Sequence, residues 1–319
     1  MFRTDFNHFL QAFDSPVLYK LMLYVSFLGT VYMVSLAVLI LISGVDFRKG
    51  FLVLNLLGWG VLIMLAGKNY VDYPRPLAVD ATLESYGEEK TKTDLTALQP
   101  STFFEFFSPE LLAKTRASDI GRYGFPSGHV IIITVIWIGM ALLFRRRWLW
   151  ALSILIVLLT AVSRMYLGLH YFGDVVGGLF IGILLSLGFN ILFDELRLGD
   201  GIKLSPRHMA FFLLPLVLLI FYNIVPGFQA GMLIGFNLAL LLIIKVWGEP
   251  VLANSAIKRV LNVLLFVLLY FSAYFLTKQL VLDKTGMLTI GIYTIVNLAV
   301  VLAFLFVGKQ LKFYKTFNN

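Results

Sequence analysis

Nine apolar runs of roughly bilayer-spanning length divide this chain: residues 17–43, 50–67, 127–144, 148–166, 171–193, 209–224, 228–246, 259–277 and 286–307. Such runs can cross the hydrocarbon of a bilayer as helices, which satisfy every backbone polar group internally. Barrel strands would instead show short segments of alternating apolar and polar residues, and none is visible. The expected fold class is therefore all-α, a polytopic transmembrane helical bundle of about nine spans. Composition agrees: 59% hydrophobic residues, 14% charged residues and a mean hydropathy of +0.87 are far too apolar for a soluble globule of 319 residues.

The net charge of +8 raises the question of nucleic acid. No basic, aromatic-interleaved surface segment accompanies it, so no nucleic-acid partner is expected, and topology accounts for the excess. Arg48 and Lys49, Arg145, Arg146 and Arg147, Arg197, Lys203 and Arg207, Lys245, Lys258 and Arg259, and Lys309, Lys312 and Lys315 all fall on one side of the spans. These are fourteen of the 26 basic residues. The other side's short segments hold only Arg3, Lys20, Lys278 and Lys284. By the positive-inside rule the first set is cytoplasmic, the N-terminus outside and the C-terminus inside. The expected setting is the bacterial cytoplasmic membrane. No cleavable signal peptide is evident, because the first apolar run is long and Asp5 and Asp14 precede it in place of a basic region. The absence of Cys excludes a disulfide framework and thiolate metal sites, and leaves the redox compartment open.

One polar insert, residues 77–125, interrupts the pattern. Its first half, with Asp80, Glu84, Glu88, Glu89, Lys90 and Lys92, reads as a solvated loop. Its second half is different: four Phe and two Leu sit among polar residues between Ser101 and Leu112, a composition suited to the lipid interface. Two readings stand, a loop packed on the end of the bundle and a lid or lipid portal over a site. No internal repeat stands out, and the spans beyond about residue 208 carry no motif.

Three short segments carry the chemistry, and each lies where an apolar run meets a polar stretch. They are Lys68 with Arg75-Pro76, Pro126-Ser127-Gly128-His129, and Ser163-Arg164 with His170 and Asp174. In the topology above all three reach the extracytoplasmic face. A phosphoryl group in transfer spreads negative charge over its equatorial oxygens, so a protein must chiefly position it and supply positive charge. Lys68, Arg75 and Arg164 suit that task, Arg through its planar fork and Lys as a compact charge. Cations at span ends also snorkel to the interface, but three at this spacing are not accounted for that way. Pro126 precedes a helix start whose free N–H groups form an anion site, which Gly128 leaves open and the Ser127 hydroxyl extends.

His170 and Asp174 are four residues apart, on one face of a helix. A carboxylate there holds the imidazole tautomer and leaves the other ring nitrogen free to attack phosphorus. His129 then serves as the acid that protonates the departing alkoxide and as the base that activates water. Two His and one Asp also suggest a metal site, but the nearby Arg and Lys would repel a cation and no further carboxylate cluster appears, so no metal is expected.

With these residues placed, the chain resembles the type 2 phosphatidic acid phosphatase superfamily across about residues 50–193. Lys68 plus six residues plus Arg75-Pro76, Pro126-Ser127-Gly128-His129, and Ser163-Arg164 plus five residues plus His170 plus three residues plus Asp174 are similar to its three signature motifs, without departure. The resemblance implies a metal-independent phosphatase with no cofactor, working through a phosphohistidine on His170. Asp174 supports that His, His129 acts as acid and base, and Lys68, Arg75, Ser127, Gly128 and Arg164 cradle the phosphate. It also implies an organisation of three parts: residues 1–49 with the first span, a catalytic core at 50–193 containing the loop 77–125, and a four-span extension at 194–319.

Family members include lipid phosphate, undecaprenyl diphosphate and sphingosine-1-phosphate phosphatases, glucose-6-phosphatases and soluble vanadium haloperoxidases. The membrane setting disfavours the last. The nine-span layout is similar to the glucose-6-phosphatase arrangement, whereas Tyr123-Gly124 and the stretch from Ser163 to His170 are closer to the sphingosine-1-phosphate branch. The Phe-rich segment ranks a lipid phosphate first, so the expected partners are that substrate and the membrane lipids. The oligomeric state is open. A sugar-phosphate phosphatase, a lipid phosphotransferase and a phosphate-binding transporter or scaffold are the alternatives.

Overall fold

In the computed structural model of this chain, residues 1–13, 15–86, 88–118, 120–196, 198, 204–281 and 283–318 are described. Asp14, Arg197 and Lys203, used above for topology, lie outside the described residues. The described chain is almost entirely helical: α1 (Asp5–Gln11), α2 (Pro16–Leu28), α3 (Val31–Ile40, extended by one π turn at Leu41–Val45), α4 (Phe47–Val71), α5 (Pro109–Ser118), α6 (Gly128–Phe144), α7 (Arg147–Tyr166), α8 (Phe172–Glu195), α9 (Pro206–Leu213), α10 (Gly227–Val246), α11 (Ala256–Leu280) and α12 (Met287–Gln310). The all-α, polytopic character read from the sequence holds.

All nine apolar runs are helical, but their lengths differ. Helices α4, α7, α8, α10, α11 and α12 are long and apolar enough to cross a membrane, and α2 with α3 adds a seventh if the pair is one broken span. The break falls at Gly29-Thr30, in the middle of the run 17–43. Helix α6 has 17 residues and stops where Arg145 turns left-handed, at φ 52°. The run 209–224 is divided because Pro215 cannot continue α9, and residues Leu214–Phe221 wind as a 3-10 helix instead. Nine runs thus become six long helices, a broken pair and two short helices. Helices α2 and α9 open alike: Ser15 and Ser205 accept N–H groups of the first turn, each followed by Pro at the first helical position.

The chain divides into two compact units, Met1–Val34 with Trp59–Gly188, and Ser35–Gly58 with Phe189–Asn319. In the first, α6 and α7 form a hairpin joined at Arg145 and Arg146, and α2 lies along α7. The core beneath the polar insert is made by Leu77, Leu83, Tyr166, Leu167 and Leu169, with Phe2, Val79, Phe107, Leu111 and Tyr171 beside them. The insert is therefore a packed structure rather than a solvated loop throughout.

In the second unit α10 packs tightly on α12. A Cβ on Gly231 would fall 2.6 Å from the Ile290 carbonyl oxygen, so only glycine permits this approach. Three buried asparagines find partners there. Asn55 and Asn237 exchange amide hydrogen bonds of 2.9 and 2.8 Å, and Asn262 donates to the Ser43 carbonyl at 2.8 Å. A small antiparallel sheet of β1 (Glu249–Leu252) and β2 (Tyr314–Asn318) also belongs to this unit. It lies outside the apolar runs, and hydropathy gave no sign of it.

Candidate active site

The first motif is fixed by a backbone return. Lys68 stands in the last turn of α4 and its ammonium donates to the Tyr123 carbonyl. Beyond it, the Arg75 N–H donates to the Gly121 carbonyl at 2.7 Å and the Gly124 N–H to the Tyr73 carbonyl at 2.7 Å. The insert is thereby clamped against the segment that carries Arg75. A Cβ on Gly124 would lie 2.6 Å from the Pro74 oxygen, so no other residue fits without moving the segment beneath it. Two further arginines of the insert, Arg116 and Arg122, are paired with Asp72 at 3.3 and 2.8 Å.

The second motif opens α6. Ser127 is its N-cap and Pro126 stands one residue earlier, so the helix starts slightly later than expected. The Ser127 N–H donates to the Asp174 carbonyl at 3.0 Å. Its hydroxyl is buried without a hydrogen-bond partner in the protein. A Cβ on Gly128 would lie 2.5 Å from Met64 Sδ and 3.4 Å from Lys68 Cε, so the first turn of α6 rests directly on the Lys68 stem. The ring of His129 packs against Gly29, where an added Cβ would meet Cδ2 at 2.6 Å.

The third motif spans the turn from α7 to α8. Ser163 Oγ donates to the Met22 carbonyl at 2.7 Å, and the Arg164 guanidinium donates to Ser26 Oγ. Gly168 supplies the left-handed residue of the turn, at φ 70°, while the Leu169 N–H returns to the Arg164 carbonyl at 3.1 Å. His170 follows at 2% exposure, two residues before α8. Asp174, wholly buried in the first turn of α8, accepts the Tyr171 N–H at 2.9 Å, as the third residue of a capping box does, and its Oδ2 lies 3.4 Å from His170 Nδ1. A proton on Nδ1 would donate to that carboxylate, which leaves the Nε2 lone pair for chemistry.

The electrostatics bind the three motifs together. His170 lies between two spans, and burial, followed by the charges of Arg164, Lys68 and Arg75, pushes its imidazole well below the usual range. It is therefore neutral, the form in which an imidazole can be a nucleophile. The same three cations act on His129. The Nε groups of Arg75 and Arg164 are buried with no partner in the protein. Buried donors of this kind call for an anion to satisfy them. Among the described residues, no group of three or more His, Cys, Asp or Glu gathers as a metal site would require.

Comparison with known families matches residues 49–197 to the PAP2 superfamily. This segment is a PAP2 domain. Two curated relatives align with part of the chain. The undecaprenyl-diphosphatase of Sulfolobus acidocaldarius is 33% identical over 98 residues, covering 31% of this chain and 44% of the relative. The lipid A 4'-phosphatase of Bacteroides thetaiotaomicron is 44% identical over 62 residues, covering 19% of this chain and 28% of the relative. The chain thus spans less than half the length of either. No solved structure matches it.

The PAP2 domain is braced from outside its own segment, which the sequence did not reveal. Buried Asn7 of α1 donates to the Met165 carbonyl at 2.8 Å and to the His170 carbonyl at 3.1 Å, spanning the turn that carries the third motif. Gln11 donates to the Tyr166 carbonyl at 2.9 Å, and the Gly173 N–H donates to the Met1 carbonyl at 3.1 Å. Thr4 Oγ1 and His8 Nε2 each lie 2.8 Å from the buried Asp80 carboxylate, which ties the insert to α1. Burial works against the charge of Asp80, but hydrogen bonds from Thr82, His8 and Thr4 outweigh it and hold the carboxyl below the ordinary range. Replacing Asn7 by Leu leaves the His170 carbonyl unpaired, at about 1–3 kcal/mol, while the Met165 carbonyl keeps the Gly168 N–H at 3.0 Å. Thermal unfolding in detergent should show a lowered midpoint for this variant, and an unchanged one would mean that α1 contributes nothing to the turn.

Proposed function

We propose that this protein is a metal-independent membrane phosphatase that hydrolyses a lipid phosphate, a mono- or diphosphate ester, through a phosphohistidine on His170. The observation that carries the reading is the meeting of three cations, two of them with orphaned buried donors, around a neutral, Asp-supported imidazole. In this reading Lys68, Arg75, Arg164, Ser127 and the first turn of α6 at Gly128 bind the phosphate oxygens. His170 Nε2 attacks phosphorus as the P–O bond to the leaving group breaks, and His129, entering as the imidazolium beside the bound phosphate anion, gives its proton to the departing oxygen, an alkoxide from a monoester or a lipid phosphate from a diphosphate. Water then attacks the phosphohistidine while His129 takes its proton, which releases phosphate and restores neutral His170.

Several features favour a lipid over a soluble ester. The motifs lie at the ends of apolar helices, the adjoining insert presents phenylalanines, and both relatives are named for lipid phosphates. The face of action is proposed from charge: Arg145 and Arg146 join α6 and α7 at the ends opposite His129 and Arg164, and the positive-inside rule makes that end cytoplasmic. The catalytic core is assigned to residues 50–193, and residues 194–319 to an extension of undefined role.

Phosphate release should be measured with EDTA present across phosphatidic acid, sphingosine-1-phosphate, undecaprenyl diphosphate and glucose 6-phosphate. We expect release from lipid members that survives the chelator. Preference for glucose 6-phosphate would replace the lipid reading. Transfer to another lipid hydroxyl without free phosphate would make the protein a phosphotransferase, and stoichiometric binding without turnover a binding protein.

A further inference from the structure

Phenylalanines from three separate elements, unused by the mechanism, stand together beside the site. Phe104 is 76% exposed and Phe106 63% exposed in the insert, with Phe103 and Phe6 of α1 also exposed. Phe6 stacks on Phe172 at 4.7 Å between ring centres, Phe103 lies 6.1 Å from Phe172, and Phe103 meets Phe104 edge-on at 5.0 Å. The carboxylates beside them are held by their own neighbours: Glu105 accepts from Ser101 N–H, Ser101 Oγ and Thr102 N–H at 2.8, 2.7 and 3.1 Å, and Asp5 pairs with Arg3 at 2.9 Å. What remains outward is a ledge of phenyl rings, too large an apolar display to leave in water.

The ledge continues into a surface whose surroundings are known. Phe172 is the first residue of α8, and Val176, Phe180, Ile183, Leu184 and Leu187 follow it at helical spacing as an exposed apolar stripe. Helix α8 is long and apolar enough to cross the membrane, so that stripe faces acyl chains. On the other side of the same first turn, Asp174 is fully buried and supports His170. One turn of helix therefore carries the half-buried ring of Phe172, stacked under the exposed Phe6, on one side and catalytic support to the cradle on the other. An apolar face rich in Phe at the interface buries about 5–10 Å into the boundary between headgroups and chains.

We infer that this ledge inserts into the outer leaflet beside the site and seats the acyl or prenyl chains of the lipid whose phosphate enters the cradle. The inference rests on the lipid-phosphatase reading above. Chains lying on Phe103, Phe104, Phe106 and Phe172 hold the headgroup within a helical turn of His170, while the tail never leaves lipid. Binding on the ledge contributes to capture of the substrate and not to the chemical step.

Two measurements test this, one independent of activity. The chain has no cysteine, so Phe104→Cys carries a nitroxide label without further engineering. In phospholipid vesicles the label should collide with oxygen more than with an aqueous nickel complex. Preferential collision with the nickel complex would overturn the inference, and shielding from both would assign the ledge to a protein partner or second copy instead. Separately, the triple variant Phe103→Ser, Phe104→Ser, Phe106→Ser should raise KM for a long-chain lipid phosphate at least about tenfold and change kcat/KM for p-nitrophenyl phosphate less than about twofold. Equal losses on both substrates would mean the ledge is only structural. If wild-type protein hydrolyses nothing, the functional reading fails while the label still reports where the ledge lies.

Discussion

His170→Ala lowers turnover by at least about a thousandfold, with substrate affinity little changed. The expectation follows from what the substitution removes and what it leaves. It deletes the Nε2 lone pair, the group proposed to form the covalent intermediate, at a position that is 2% exposed, in a chain with no thiol, and beside one other imidazole, His129, which the proposal assigns to proton transfer. It leaves Lys68, Arg75, Arg164 and the first turn of α6 in place, so the phosphate is still bound. A fall in kcat at constant KM marks a group that acts in the transition state and not in ground-state binding. Stopped-assay kinetics on a lipid phosphate, paired with acid-quench trapping of a phosphorylated protein, check both halves. Near-wild-type turnover in the variant would sink the nucleophile assignment, and a phosphorylated variant would move the covalent step to another residue.

The residues proposed as cradle and histidine pair stand out in the sequence because phosphate chemistry restricts residue types severely, and because each member lies at a boundary between apolar and polar composition. Hydropathy alone locates the ends of α4, α6, α7 and α8, and the motif spacing then places Lys68, His129, Arg164 and Asp174 within a turn or two of those ends. The parts that were not legible depend on partners far away in the chain. Nothing in the sequence marks Asn7, whose worth comes from carbonyls 158 and 163 positions later. Asp80 reads as a solvated charge until Thr4 and His8 are brought to it across 76 and 72 positions. The break at Gly29-Thr30 was invisible for a different reason: neither residue is charged, so the run 17–43 keeps its hydropathy through a point where the helix stops. Pro215 differs again: hydropathy carries the run 209–224 across it as one span, although a proline cannot continue α9, which ends there.

His129→Ala should separate substrates by leaving group. With a lipid ester the departing alkoxide is a strong base and needs a proton as the P–O bond breaks, so loss of the acid costs about 10²–10⁴-fold in turnover. With p-nitrophenyl phosphate the departing phenolate is stable without that proton, and the first step should lose an order of magnitude less. The second half-reaction does not share this exemption. Water must still be deprotonated to attack the phosphohistidine, and the only base assigned to that task is gone. The variant should therefore release a burst of p-nitrophenol close to one equivalent of enzyme and then turn over slowly, with phosphorylated protein accumulating. The wild type, with both steps served by one imidazole, should show no such accumulation. Equal losses on lipid and aryl substrates would argue against the acid role. A first step unaffected on both would leave His129 as a base alone, with the alkoxide protonated by a group on the other side of the cradle.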